Sequence, residues 1–448
     1  MSVPRSERLG TYPVFPLLFR LAVPSIMGMM FQALYNVVDS IYVGHVSKEA
    51  LSALALAFPI QMVLIAVAVG TGVGATSFIS RTLGAGDKKR AGHIAEHAVI
   101  LCFIYGAVSA AAGIFFAEDL IRLFSRDPLL VRLGTEYIRI ILIGAVALFI
   151  PMIFNNILRG EGNTFYPMLT MAIGAFINIA VDPLLIFGLG PFPELGVQGA
   201  AYATVFSRIF SGSFIIFILL TRSELDIRMR NFHCDSGILK GIYRIGVPAM
   251  SLQLLASIML AGGNLILGMY NTTAIAVFGI FFRLQSFIFM PVFGLGQGVM
   301  PLAGYNFGAR NPERIKKTIC YGVSSAFLIT FTGFLVFQLF PRGLITMFNS
   351  DPELISIGVP AMKRISLGFL FVGPSIIGIN VFQAIGEGTP SLVLSFLRTI
   401  VFLLPSMYLL GEFFGLTQVW FAFPLAESMT FVLGAAWLLT RLRRILSG

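Results

Sequence analysis

Long apolar runs, most of them about 18 or more positions and nearly free of charge, alternate along this chain with short polar stretches. Within the runs, apolar positions do not alternate with polar ones at a 3.6-residue period. The runs therefore read as membrane spans and not as amphipathic surface helices. Twelve can be drawn, at about 15–44, 51–79, 93–117, 136–158, 165–189, 199–221, 239–268, 275–303, 317–340, 355–384, 391–411 and 418–440. Six fall in each half. An even number per half sends both halves into the membrane in the same direction, so they should be related by an axis along the membrane normal. The fold class expected is an all-α polytopic membrane protein with two six-helix bundles related by that pseudo-two-fold.

The halves also share sequence. Arg20-Leu-Ala-Val-Pro24 returns 224 positions later as Arg244-Ile-Gly-Val-Pro248. Gly70, Gly72 and Gly74 return as Gly294, Gly296 and Gly298, and Leu83-Gly84-Ala85 as Phe307-Gly308-Ala309. Phe124-Ser125-Arg126-Asp127-Pro128 returns as Phe348-Asn349-Ser350-Asp351-Pro352. The offset is half of the 448 residues, which marks a duplicated unit kept in register, as in transporters built from two lobes around a central site. The expected division is an N-lobe at 1–221, a cytoplasmic linker at 222–243 and a C-lobe at 244–448. Pro24 and Pro248 should kink the first span of each lobe. The glycine triplets should let spans 2 and 8 approach a neighbour closely or bend. They are not a dinucleotide fingerprint, because no strand–turn–helix surrounds them.

Composition agrees with the pattern. The chain is 57% hydrophobic and 12% charged, with mean hydropathy +0.88, where soluble domains carry about 25% charge. Soluble enzyme, coiled coil and disordered chain are excluded. The net charge of +10 does not point to nucleic acid, since the Lys and Arg residues lie mostly in short loops between spans. About 20 of them fall on the side holding the N-terminus, the even-to-odd loops and the C-terminus, among them Arg81, Lys88, Lys89, Arg90, Arg310, Arg314, Lys316, Lys317, Arg441, Arg443 and Arg444. About 8 fall on the other side, notably Arg122, Arg126 and Arg132. Both termini are therefore expected in the cytoplasm, with the protein in a prokaryotic plasma (inner) membrane. Cys102, Cys234 and Cys320 are too scattered for a disulfide framework or a metal site. The first apolar run lacks a small-residue cleavage site and belongs to the fold.

Ionisable residues inside spans are costly and are functional candidates by default. Asp39 is the clearest. Gln32, Tyr35, Asn36 and Asp39 are spaced 0, 3, 4 and 7, one polar stripe on an apolar helix. The counterpart of Asp39 in the second half is Gly263, so function should be asymmetric. Asp182 lies in span 5, with Asn178 one turn earlier. Both aspartates should sit about 8 Å inside the outer end of their spans. Two carboxylates in low dielectric cannot both ionise easily, which makes a proton-binding site. Their oxygens, with Asn178 and Thr204 on span 6, equally suit a small hard cation, so sodium at Asp39, Asn178 and Asp182 stays open. Tyr137 is a plausible polar neighbour. Met27, Phe31 and Met290 are candidates to line an adaptable apolar cavity, and Arg283 is a candidate site residue of the second lobe. Arg208, Arg398 and Glu427 are further intramembrane charges without an assigned role. His93 and His97, one turn apart without further ligands, read as surface or packing residues. No phosphate loop is present, so uphill transport would draw on an ion gradient and not on a bound cofactor.

At Val38-Asp39-Ser40-Ile41-Tyr42-Val43-Gly44, Gly70–Gly74, Gly84-Ala85-Gly86-Asp87, Asn178-Ile179-Ala180-Val181-Asp182-Pro183, Gly160-Glu161-Gly162 and Gly386-Glu387-Gly388 the chain resembles the multidrug and toxic compound extrusion (MATE) family, most of all its prokaryotic DinF-like branch. The resemblance implies a V-shaped pair of six-helix bundles that exports amphipathic, often cationic compounds in exchange for protons or sodium. It makes Asp39, Asn178 and Asp182 the ion-coupling site, with Gln32, Tyr35, Asn36 and Tyr137 nearby. The expected partners are drug-like small molecules and the bilayer, with no nucleic acid, and the chain should function as a monomer. Span 7 has no acidic residue, unlike some relatives, so a cation site in the second lobe is not carried over. Two other transporters compete. A major facilitator also has six plus six spans, but its later Gly-Arg is missing after Gly84–Arg90. A lipid-linked oligosaccharide flippase of the same superfamily would line its cavity with basic residues, whereas the clearest buried cluster here is acidic. A membrane-embedded enzyme or receptor would need larger loops.

Overall fold

The computed structural model describes residues 4–227, 229 and 232–446. Residues 1–3, 228, 230–231 and 447–448 of the expected divisions lie outside them. Helix α1 (Arg5–Thr11) precedes α2 (Val14–Val46), α3 (Lys48–Gly84) and α4 (Lys88–Arg122), which carry spans 1 to 3. Span 4 is α5 (Pro128–Ile143) with α6 (Ala145–Gly160), span 5 is α7 (Phe165–Ile186) and span 6 is α8 (Gly196–Arg222). In the second half α9 (Ser236–Gly268), α10 (Thr272–Gly308) and α11 (Pro312–Leu339) carry spans 7 to 9, and α12 (Pro341–Thr346) is a short connector. Span 10 is α13 (Pro352–Ile365) with α14 (Phe369–Ala384). Span 11 is α15 (Gly388–Phe396) and α16 (Leu404–Phe414), joined through a π-helical segment at Leu397–Leu403. Span 12 is α17 (Leu416–Val419) with α18 (Ala422–Leu446). Among the described residues, eleven helical stretches are long and apolar enough to cross a membrane, and the pair α5–α6, bent by 50°, makes a twelfth when taken as one span. Among the described residues there is no strand.

Span 4 differs from its expected form. It begins at Pro128 and breaks at Gly144, where the sequence pattern predicts one helix over 136–158. Gly144 faces the methyls of Val205 on α8, and a Cβ there would meet them at 2.6 Å. The bend is where span 4 presses against span 6.

The repeat is legible in the helix starts. Ser47, Asp87 and Asp127 cap α3, α4 and α5 by accepting from Ala50, Arg90 and Leu129 backbone N–H groups, each at 2.9 Å. Asn271, Asn311 and Asp351, each 224 positions on, cap α10, α11 and α13 in the same way. The duplicated Asp-Pro is thus an N-cap followed by a proline at the first helical position, where its missing N–H costs nothing. Gly86, φ +83°, ends the turn after α3. Its counterpart is Arg310, which holds φ 51° without being glycine.

The glycine triplets explain how the chain divides. The described residues form two compact units, one of 4–8 with 27–247, the other of 9–26 with 248–446. The boundaries fall beside Pro24 and at Pro248, inside the first span of each half, and not in the linker at 222–243. In the first unit the start of α9 lies on α3. A Cβ at Gly74 would sit 2.3 Å from the Ile242 carbonyl oxygen, and one at Gly246 2.9 Å from that of Gly70. In the second unit the start of α2 lies on α10, where a Cβ at Gly294 would be 2.7 Å from the Ile26 backbone and one at Gly298 3.0 Å from Ala22 N. The middle glycines, Gly72 and Gly296, make room for Asn156 and Asn380, themselves 224 positions apart. Gly74, Gly294 and Gly298 thus serve close backbone approach, and the middle glycines accommodate an asparagine side chain.

A polar knot in the first unit fastens the loop after α6. The Glu161 carboxylate accepts from the Ser223 hydroxyl and, at 2.9 Å, from the Glu224 N–H. Glu224 in turn caps α1, accepting from the Arg5 and Ser6 N–H groups and from the Ser6 hydroxyl at 2.6 Å. Burial pushes the Glu161 carboxyl up to about 7, more than these donors pull it down. In the unfolded chain the group ionises near 4.5, so stability should fall as pH rises from about 4.5 to about 7 and stay lowered above that. Glu161→Gln should flatten this slope, and the gap from wild type above pH 7 is on the order of 3 kcal/mol. Thermal unfolding in detergent across this pH range measures it. A wild-type slope retained in the variant would contradict the assignment.

Candidate functional site

The first unit gathers most of the predicted polar residues. Asn178 and Asp182 lie one turn apart on α7 and are fully buried, and the Asn178 amide donates to Asp182 Oδ1 at 3.2 Å. Asp39, on α2, brings its carboxylate within hydrogen-bonding reach of the Asp182 carboxylate. Tyr35, one turn before Asp39, meets the Thr204 hydroxyl of α8 at 3.5 Å. Tyr137 of α5 is buried, feels the charge of Asp39 and bonds to Gln61 of α3. Five helices thus converge on one cluster.

Three oxygens in it are buried and accept no hydrogen bond from the protein: Asp39 Oδ1, Asn178 Oδ1 and Asp182 Oδ2. Buried acceptors without donors are costly, the more so on carboxylates. A shared proton or a hard cation would satisfy them, since both prefer oxygen. The arrangement follows from the sequence: an i, i+4 pair on α7, an i, i+4 pair on α2, and a hydroxyl on α8 that meets Tyr35 of the second pair.

Two members had no site role in the sequence reading, Arg208 being noted only as an intramembrane charge. Arg208 lies one turn beyond Thr204 on α8, and its charge reaches Tyr35, Asp39 and Tyr137. The i, i+4 spacing from Thr204 was the available signal. Arg208 also lines a cavity of about 280 Å³ with Gly144, Val205 and Gly212. Gln61, the polar residue in Phe58-Pro59-Ile60-Gln61, gave a weaker sign. With two carboxylates and one guanidinium, the ionised cluster carries one net negative charge, which one monovalent cation neutralises.

Other predicted residues lie elsewhere. Gln32 and Asn36 bond to each other at 3.4 Å on a more exposed part of α2. Met27 is exposed, and Phe31 packs on Phe176 with ring centroids 5.5 Å apart. Arg283, exposed, and Met290, half-buried, lie on α10 in the second unit. His97 acts as a fastener: its Nδ1–H donates to the His93 carbonyl at 2.7 Å and its Nε2 accepts the Asp235 N–H at 2.9 Å.

The family model described as MatE matches residues 24–184 and 248–409, one match per half. The chain belongs to the MATE family. Over 407 residues it is 29% identical to the probable multidrug resistance protein NorM of Thermotoga maritima, covering 90% of this chain and 87% of that protein. It is also 29% identical to the FAD transporter of Shewanella oneidensis, covering 93% and 92%. A solved structure described as the outward-facing conformation of a multidrug resistance MATE family transporter of the MOP superfamily aligns over all of both chains, with TM-score 0.94 and 30% identity. MATE membership places the twelve spans in a family of transporters, not of enzymes.

Proposed function

We propose that this MATE protein is a secondary active multidrug exporter, moving amphipathic and cationic compounds outward in exchange for an inward proton or sodium ion. The observation that carries the reading is the group of three donorless buried oxygens on Asp39, Asn178 and Asp182, in a cluster that, ionised and counted with Arg208, carries one net negative charge. A cation gradient does work on a transporter only through a site that binds the ion differently in its two states. In this reading the empty cluster repels itself, and a proton shared between Asp39 and Asp182 relieves the repulsion. A sodium ion held by Asp39, Asn178, Asp182 and Thr204 would do the same. Relief lets α2 rearrange beside Pro24 and expel the substrate, and release of the ion inward resets the cycle. Met27, Phe31, Gln32, Tyr35, Asn36, Tyr137, Arg283 and Met290 are the proposed substrate-facing residues. The protein works as a monomer in a prokaryotic plasma membrane with both termini in the cytoplasm.

Ethidium accumulation in a host lacking its own exporters tests this reading. Expression should lower accumulation, and collapse of either the proton or the sodium gradient should restore it. No change on expression would turn the reading toward the lipid-linked oligosaccharide flippase. Because one relative is named an FAD transporter, a flavin dinucleotide belongs beside the cationic dyes in the panel.

A further inference from the structure

The second unit holds an ionic site of its own. Arg398, in the π-helical segment of span 11, meets Glu427 of α18, with Nη1 3.4 Å from Oε1. Arg398 lies ten residues into span 11 and Glu427 eleven residues into span 12. At 1.5 Å per residue both are about 15 Å deep, near the middle of a 30 Å hydrocarbon core. The side chains keep 24% and 17% of their surface exposed. Facing lipid at that depth would be costly for a charge pair, which favours a polar surrounding for the exposed part.

The pair is also incompletely used. Only one tip of the guanidinium and one carboxylate oxygen are engaged. Arg398 Nε, Glu427 Oε2 and the neighbouring Thr399 hydroxyl are buried without partners. A guanidinium offers a carboxylate or phosphate two parallel N–H bonds, stronger and more directional than the single contact made here. Glu427 therefore behaves as a replaceable counter-ion. Among the described residues, Arg398 is the charged group that acts on Glu427. Helices α14 and α15 contribute no ionisable side chain. On α13, Arg364 is spent on the Thr417 carbonyl and the Phe421 ring, and the Lys363 ammonium is not among the groups acting on Glu427. Glu412, on α16, acts on Tyr270. The wall around Glu427 is close: a Cβ at Gly368, in the 3₁₀ turn that interrupts span 10, would lie 3.5 Å from its Cγ.

The repeat sharpens the reading. Spans 11 and 12 are the counterparts of spans 5 and 6, which carry Asp182, Thr204 and Arg208. Glu427 stands 224 positions after Ala203, beside Thr204. Each half places one carboxylate and one arginine on this pair of spans, Asp182 with Arg208 in the first half and Glu427 with Arg398 in the second, and the first half adds Asp39 from span 1.

We propose that Arg398 and Glu427 form an anion-accepting subsite: a carboxylate or phosphate group of a transported compound takes the Arg398 guanidinium, and the displaced Glu427 takes up one proton. Charge then balances, because one anion and one proton enter together and the guanidinium is never left unpaired. The subsite gives the transporter a way to handle compounds that carry an acidic group as well as a cationic body.

Rhodamine B, with a free carboxylate, and its ethyl ester are a matched pair of probes. In nanodiscs at low buffer capacity, rhodamine B should take up one more proton per molecule bound than the ester. The double variant Arg398→Gln/Glu427→Gln removes both charges together and leaves no buried charge uncompensated. It should bind the ester as wild type does, lose the extra proton uptake and weaken for the acid at least tenfold. An acid-to-ester affinity ratio unchanged in the double variant would overturn the proposal, as would equal proton uptake for the two dyes. The assay reads binding and not flux, and it leaves Asp39 in place. Failure of gradient-driven export is therefore distinguishable from failure of this subsite.

Discussion

Asp39→Asn protein should insert and fold, bind amphipathic cations, and show no gradient-driven export above protein-free vesicles. The substitution keeps the shape of the side chain and removes one negative charge. What remains, Asp182 and Arg208, sums to zero, so the cluster no longer draws in a cation. The asparagine amide can also donate to the Asp182 carboxylate, supplying a hydrogen bond that Asp182 Oδ2 lacks in the wild type. The variant thus resembles the cation-bound form held permanently. Its melting temperature in detergent should equal or exceed that of wild type, because two facing carboxylates no longer repel. A variant that exports at the wild-type rate, or one that fails to fold, would contradict the role given to Asp39.

Gly74→Ala and Gly294→Ala should each destabilise the protein severely. A methyl at Gly74 would stand 2.3 Å from the Ile242 carbonyl oxygen, and at Gly294 2.7 Å from the Ile26 backbone. Neither neighbour is the end of a flexible side chain, so a whole helix must shift. Overpacking of this kind costs about 1–3 kcal/mol, and more where backbone is the obstacle. Gly279→Ala and Gly378→Ala are the controls. Both lie in helices with nothing within 4 Å of the added carbon, and alanine there should gain up to about 1 kcal/mol from helix propensity. Fluorescence-detected size exclusion after a heating series ranks the four. If Gly74→Ala survives heating as well as Gly279→Ala, the close approach of α9 to α3 is not what holds the first unit together.

The contrast between the two pairs of glycines shows what the chain discloses by itself. Span positions were readable because a bilayer imposes length and apolarity on every crossing, and the duplication supplied a second copy to check each motif. The Asp127-Pro128 and Asp351-Pro352 caps needed only local chemistry, and Asp39 and Asp182 stood out because a carboxylate in hydrocarbon needs a reason. The division into units was not readable, since it depends on which helix the glycine faces meet, and that neighbour is nearly 170 residues away for Gly74 and nearly 270 for Gly294. The bend at Gly144 escaped because a glycine inside an apolar run looks the same whether or not a valine presses on it. Arg208 and the Arg398–Glu427 pair were visible as residues but not as partners, because partnership across spans is a property of packing.

The most direct test of the account is ethidium export from proteoliposomes under a separately imposed proton or sodium gradient, for wild type and Asp39→Asn. Export that follows one gradient in the wild type and disappears in the variant is the predicted result, and it names the coupling ion and its site together. Export that ignores both gradients, or that persists in the variant, would contradict the claim that the Asp39–Asp182 cluster couples transport to a cation.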